Sequence, residues 1–485
     1  MIRVRTGVFW VAVCRYSYRG VGLVTTLVLA HLLSPNDFGL MAGAMIIVSI
    51  LDLFYDFGIS KELIYRRERI EEACHTAFTM NLALGTAMFL LACCIAPFLG
   101  TLLDIGNITW IVILAATSLP IASLGKVPAA IMQKEQRFKA LSVPLTVASV
   151  VICIASISAA LLGAGAYSLV VRPVLGSIVE VGLLFALCGY RPRLQYKPDL
   201  GREIFRYAKH LLGAGMIGAL MKQIGPTVVA RMFGQGVLGG FSLANRVATL
   251  PAKEFSTVLG RVLFPSIADR RDDPAAVRDL LIKSIKAIAI VGVPTTLAVA
   301  WFAQPALTFL YGSKWDHAVV FFWILPMAFL FRGLASPAGE VCKAVGQTKA
   351  LLVCYMVECA VLALCVVPAA IVCGSAGVAV GIATASLLAS AWLTRRAALI
   401  SGASSAELSR ALLGPCIAAG AAVVAALLVR IGLQGEGALV SMVMEALAGG
   451  CVFAVVAMIL ERDFVMSLLE MQRKRPPQSC EESVT

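Results

Sequence analysis

Apolar residues in this chain come in runs of roughly 20, the length of helix that crosses the ~30 Å hydrocarbon layer of a bilayer. About fourteen such runs follow one another between Gly7 and Leu460. They predict helical spans at 7–33, 38–58, 76–100, 107–131, 140–162, 165–188 and 208–233, and again at 236–264, 284–311, 317–341, 350–373, 376–400, 411–434 and 437–460. The predicted fold class is all-α, a polytopic membrane protein.

The polar gaps between the runs alternate in charge. One set holds Lys61, Arg66, Arg67 and Arg69, then Lys134, Arg137 and Lys139, then the string from Arg191 to Lys209, then Arg270 to Lys286, Lys343 and Lys349, Arg395 to Arg410, and Arg473 to Arg475. The other set is short and nearly free of cations, with Lys314 its clear exception. Loops that retain Lys and Arg stay cytoplasmic during insertion. Both termini are therefore expected in the cytoplasm, with an even number of spans between them.

Composition supports this reading: hydrophobic residues make up 59% of the chain and charged residues 14%, against about 25% charged in soluble domains. The net charge of +13 sits in one family of loops, where insertion orientation and anionic membrane lipids account for it. No nucleic-acid partner is expected. The 14 cysteines fall almost entirely inside apolar runs without metal-ligand spacing, and read as small hydrophobes. At the start, Arg15 and Arg19 interrupt the apolar run and no Ala-x-Ala site follows, so a first span is expected rather than a signal peptide.

An internal repeat organises the spans. Val28-Leu29-Ala30-His31 with Phe38-Gly39-Leu40 aligns, at an offset of 200, with Val228-Val229-Ala230-Arg231 and Leu238-Gly239-Gly240. The first and seventh spans then correspond, and the halves are related by an axis along the membrane normal. The expected domains are a six-helix bundle at residues 1–190, a cytoplasmic linker at 191–207, a second six-helix bundle at 208–400, a terminal two-helix unit at 401–460, and a disordered polar tail at 461–485. Asp273-Pro274 should open an interfacial helix, since Asp caps, Pro suits the first turn, and Val277, Leu280, Leu281 and Ile285 share a face.

Ionisable residues inside spans each cost about 2.5 to 3.5 kcal/mol at a helix centre, so they are the candidate functional groups. Arg15 and Arg19 share a face of the first span, and Asp52 and Asp56 share a face of the second. If the two helices return antiparallel, residue i lies level with about 71 minus i, which sets Arg19 beside Asp52 and Arg15 beside Asp56. Such a ladder either neutralises itself for insertion or faces a water-filled cavity, where the arginines attract an anionic substrate and an aspartate exchanges H⁺ or Na⁺. Lys222 and Arg246 lie at similar depth in the second half. Arg172 and Glu180 in the sixth span and Arg332 in the tenth are further candidates. Glu358 and Glu445 are either coupling sites or, the favoured reading, side chains that snorkel to the headgroups, and His31, His75, His210 and His317 are expected to sit at the interface. Pro120, Pro128, Pro144, Pro173, Pro294, Pro305, Pro326 and Pro337 mark helices that bend, and Gly377 and Gly381 form a GxxxG helix contact.

The run from Leu29 to Leu40, with Asp56-Phe57-Gly58-Ile59, Thr76-Ala77-Phe78 and Asn81, resembles the amino-terminal signature of bacterial polysaccharide repeat-unit flippases of the colanic-acid and succinoglycan type. Gln136-Arg137-Phe138-Lys139, Arg191-Pro192-Arg193 and Arg261-Val262-Leu263-Phe264-Pro265 are similar to further blocks of that family, so the likeness runs from about Leu29 to Lys349. The family belongs to the multidrug, oligosaccharidyl-lipid and polysaccharide exporter superfamily. The resemblance implies two six-helix lobes around a cavity lined by the first, second, seventh and eighth helices, working by alternating access in the inner membrane. Its implied substrate is an undecaprenyl-pyrophosphate-linked oligosaccharide; polysaccharide polymerases and glycosyltransferases are candidate partners that the sequence itself does not reveal. His31 stands where the family usually has Arg, so a role carried to that position is in doubt.

Together these readings give a non-enzymatic flippase in which Arg15, Arg19, Lys222 and Arg246 contact the head group, with Asp52 as the ion-coupling residue and no other cofactor. A multidrug cation antiporter of the same superfamily would favour acidic and aromatic cavity residues. A polysaccharide polymerase would need a sizeable catalytic loop in the cation-poor gaps, which are short. No phosphate-cradling Gly-rich loop occurs, so ATP is not the direct energy source.

Overall fold

The computed structural model describes residues 2–56, 58–66, 68–270, 273–433 and 438–462. The side chains of Arg15 and Asp56, residues Arg67 and Arg271, and the tail from 463 onward lie outside the described residues. Among the described residues every regular element is a helix, and ten helical stretches are long and apolar enough to cross a bilayer.

The order is α1 (Ile2–Leu32), α2 (Pro35–Asp56), α3 (Ile59–Tyr65), α4 (Ile70–Leu103), α5 (Ile108–Ala116), α6 (Ser118–Leu124), α7 (Lys126–Lys134), α8 (Phe138–Leu161), α9 (Tyr167–Cys188) and α10 (Pro198–Ala268). Then come α11 (Pro274–Trp301), α12 (Ala303–Tyr311), a 3-10 turn (Ser313–Ala318), α13 (Val319–Ala344), α14 (Thr348–Ser401), α15 (Ser405–Gly432) and α16 (Ala438–Leu460). Among the described residues each predicted span is helical, although 107–131 is divided among α5, α6 and α7 and 284–311 between α11 and α12. Two long helices carry a pair of spans each, broken by a glycine in a conformation that side chains avoid: Gly234 in α10 (φ 79°, ψ 178°) and Gly374 in α14 (φ 63°, ψ −148°).

Local sequence explains the joints. At the head of α2, Ser34 Oγ accepts from the Asp37 amide at 3.2 Å while Asp37 Oδ2 accepts from the Ser34 amide at 2.9 Å, with Pro35 in the first turn. This reciprocal cap satisfies two amide donors that a helix start leaves without partners. The predicted span 107–131 becomes three short helices, α5 to α7. Its two breaks, at Thr117 and Gly125, each follow the carbonyl that a proline four residues on cannot bond, Ala116 for Pro120 and Leu124 for Pro128. Pro144, Pro173, Pro294, Pro326 and Pro337 lie inside helices that continue past them.

The chain forms two compact units, one of Met1–Arg246, Ala306–Phe321 and Tyr355–Ile382, the other of Val247–Pro305, Phe322–Cys354 and Ala383–Thr485. In the first, α1 packs along α8 and α8 along α9, while α2 packs on α4 and α5. Among the described residues α1 scarcely touches α2. This corrects the antiparallel return assumed for the Arg–Asp ladder: after the Ser34 turn the helices diverge, so Arg19 is not set beside Asp52. The segment after α9 has no regular structure and, with the start of α10, is tied down by Thr79 Oγ1 to the Gln195 carbonyl (3.0 Å), Arg69 to Asp199 (2.7 Å) and Arg66 to Glu203 (2.8 Å). His75 belongs to this joint rather than to an interface: it is 5% exposed and bonds the Tyr190 hydroxyl at 3.0 Å.

In the second unit α15 packs on α11 and α16. The helix starting after Asp273 is not a separate interfacial element. Asp273 caps it through the Ala275 and Ala276 amides (3.0 and 3.2 Å), and it continues unbroken into the span. The reason is burial: Val277, Leu281 and Ile285 join a core with Ala338 and Val341 of α13 and Leu393 of α14. Glu445 in this unit is 5% exposed, and Glu358 in the first unit is 4% exposed.

Candidate functional site

One face of α9 carries Leu169, Arg172, Pro173, Gly176, Ser177 and Glu180, the three-four spacing that places side chains along one helical stripe. Within the first unit this stripe lines a cavity of about 440 Å³, closed on its other sides by Tyr18 of α1, Phe38, Met41, Ala42 and Met45 of α2, Leu145, Ala148 and Ile152 of α8, and Ser242 and Arg246 of α10. A side-chain carbon at Gly176 would reach to 2.8 Å from Ile152 Cδ1, so glycine there lets α8 and α9 close the wall. Pro173 leaves the Leu169 carbonyl without a helical donor, and both residues are in the lining.

Two guanidinium groups and one carboxylate line the cavity. Arg172 Nη2 donates to the Tyr18 hydroxyl at 3.4 Å, which links α9 to α1 across the site. The Ser177 hydroxyl donates to the Pro173 carbonyl at 2.7 Å. A space of this size, with two arginines set among apolar walls, suits an anion that must be kept wet and charged, since bringing cations into the bilayer is worthwhile only where they meet water, a partner or a ligand.

The sequence-derived candidates divide accordingly. Arg172, Glu180 and Arg246 come together in the cavity. Arg19 is half-buried on α1 and is not among the lining residues. Asp52 on α2 and Lys222 on α10 are exposed. A 2.7 Å bond from Gln223 Nε2 to Ser49 Oγ joins their helices and sets the two within about 3 Å of one level, at 1.5 Å per residue. Asp52 makes no ion pair among the described residues. Arg332 lies in the second unit, its guanidinium 5.6 Å from the Phe329 ring centroid. Tyr18, Ser177, Ser242 and Gln223 were not anticipated. Uncharged groups stand out little in an apolar run, although Tyr18 adjoins Arg19 in sequence.

The turn between α1 and α2 is sealed by the 3-10 turn. Lys314 Nζ donates to the carbonyls of His31 and Leu33, each at 2.7 Å, and Trp315 Nε1 to that of Ala30 at 3.0 Å. The Ala30 and His31 carbonyls are among those the end of α1 leaves without amide donors, and Leu33 is the residue that follows the helix. Trp315 is fully buried, edge-on to Phe38 with centroids 5.2 Å apart. The lone cation of the cation-poor gaps is thus a helix cap. Among the described residues no group of His, Cys, Asp and Glu could hold a metal ion, and the cysteines are unpaired.

Long apolar helices around a cation-bearing cavity define a multi-pass membrane transporter. The chain belongs to the polysaccharide biosynthesis protein family, whose sequence profile matches residues 28–320. It is 26% identical over 502 residues to the succinoglycan biosynthesis transport protein ExoT of Rhizobium meliloti (strain 1021), covering 98% of this chain and 97% of that one. It is also 26% identical over 345 residues to the lipopolysaccharide biosynthesis protein WzxC of Escherichia coli (strain K12), covering 70% and 69%. In fold it is similar to the lipid II flippase MurJ in an inward closed conformation, with a TM-score of 0.76 at 13% identity, covering 94% of this chain and 99% of that one.

Proposed function

We propose that this protein turns undecaprenyl-pyrophosphate-linked oligosaccharide repeat units from the cytoplasmic to the periplasmic leaflet of the inner membrane, for exopolysaccharide or lipopolysaccharide synthesis. The observation that carries this reading is the cavity that brings Arg172 and Arg246 together with Tyr18. Polar groups without partners in hydrocarbon cost several kcal/mol each, so a diphosphate and its sugars need a polar, positively charged enclosure while the prenyl tail stays in lipid. The relatives support the same substrate class: a succinoglycan transport protein, a lipopolysaccharide biosynthesis protein and, by fold, a lipid II flippase.

In this reading Arg172 and Arg246 hold the diphosphate directly. Arg15, Arg19, Lys222 and Arg332 are head-group contacts on the strength of the sequence pattern. The cycle is alternating access between two six-helix lobes, at 1–190 and 208–400, joined by the linker at 191–207. Both termini are cytoplasmic. H⁺ or Na⁺ exchange at Asp52, Asp56 or Glu180 drives it, and polymerases and glycosyltransferases supply and consume the cargo. A cation antiporter is disfavoured, because two arginines outnumber the single glutamate in the lining.

Replacing both Arg172 and Arg246 by Ala should abolish polymer production while the protein still inserts at normal level, with lipid-linked repeat units accumulating inside the cell. Full polymer output from that double variant would remove the cavity from the mechanism.

A further inference from the structure

The second unit contains a separate slot with different chemistry. It lies among α11, α15 and α16, holds about 190 Å³, and its walls are almost wholly apolar, with Leu297, Ala422, Val423 and Phe453 among them. Glu445 is its one charged lining residue. Trp301, the last residue of α11, donates its indole N–H to Glu445 Oε2 at 2.9 Å. Over the face of that indole stands Arg430, near the end of α15, with its guanidinium 6.0 Å from the ring centroid. Arg430 is exposed, and among the described residues it has no carboxylate partner.

Depth follows from helix geometry. Trp301 and Arg430 sit at helix ends, where indole and guanidinium groups anchor at the headgroup level. The slot runs inward from there, from Trp301 to Pro294 along α11 and from Glu445 to Phe453 along α16, which is about 10 to 12 Å at 1.5 Å per residue. It stays open at Gly450, where a side-chain carbon would meet nothing within 4 Å. An apolar slot under a cation and an anion matches a chain hanging below a head group that bears both charges. An anionic lipid would suit Arg430 but set its phosphate against Glu445. A simple cation would suit Glu445 and leave the apolar length unfilled.

We propose that this slot binds a zwitterionic glycerophospholipid, with one acyl chain between α11, α15 and α16, its ammonium at Glu445 and its phosphate at Arg430. The test is native mass spectrometry of the full chain released from detergent after exposure to phosphatidylethanolamine, phosphatidylglycerol or a polyprenyl phosphate. The parent protein should retain phosphatidylethanolamine about tenfold more tightly than phosphatidylglycerol, the scale of one charge-assisted hydrogen bond. Glu445→Gln should erase that preference, and Gly450→Leu, which fills open space, should lower retention of both phospholipids with an unchanged unfolding midpoint. Equal retention of the two phospholipids by the parent, tighter retention of the polyprenyl phosphate, or undiminished binding to G450L would each overturn the assignment.

Discussion

Gly39 lies against the backbone carbonyl of Gln235, and its repeat counterpart Gly239 lies against the carbonyl of Pro35 in the same way. The two contacts exchange under the offset of 200, and between them Asn36 meets its own counterpart Gly236. A contact set that maps onto itself under exchange is what a two-fold axis produces. The repeat read in the sequence is therefore also a packing relationship, centred on the heads of α2 and the second arm of α10.

Because the obstructing atoms are backbone, neither side can yield by rotating a side chain. Gly39→Ala and Gly239→Ala should each destabilise by about 1 to 3 kcal/mol, the range for overpacking, and by similar amounts to each other. Thermal unfolding in detergent reads this directly. A large effect at one position and none at the other would contradict the symmetric contact.

The Lys314–Trp315 cap yields a second expectation. Trp315→Ala removes a fully buried ring and the donor to Ala30, and should cost about 3 to 5 kcal/mol. Lys314→Met loses only hydrogen bonds at an exposed position and should cost less. A cysteine placed at Ala30 should become reactive to a water-soluble maleimide in W315A and stay protected in the parent.

The joint at residues 190–199 should respond to acid. The Arg69 guanidinium hydrogen-bonds Asp199 and holds its carboxyl below the ordinary aspartate value. A carboxylate depressed on folding contributes stability above its unfolded pKa and loses it as pH falls through the folded one. A spin label at Gln195 should therefore stay immobile at neutral pH and gain mobility as pH drops below about 4. In Arg69→Ala the label should be mobile at pH 7 already. A parent whose label is equally mobile across the range would disprove the tie.

How much of this was legible in the sequence depends on the interaction involved. Span positions were, because hydrophobic length is a local property. So were the breaks near Pro120 and Pro128, since a missing amide acts on its own helix. Helix partners were not: nothing in the first two spans says that α1 lies on α8 rather than on α2, and that choice decides the fate of the Arg19–Asp52 register. Burial of His75 and Glu445 came from tertiary partners, Tyr190 and Trp301, distant in sequence. Arg172, Glu180 and Arg246 were visible as charges in apolar runs, whereas Tyr18 and Ser242 carry no such mark.

Leaflet transfer in reconstituted vesicles tests the central claim most directly. Vesicles containing the protein and a fluorescent polyprenyl-diphosphate oligosaccharide would be quenched by a membrane-impermeant reagent, so that probe leaving the inner leaflet is counted. The parent should move the probe across and the R172A R246A double variant should not, although both reconstitute equally. Equal transfer by the two proteins would contradict a cationic cavity as the route.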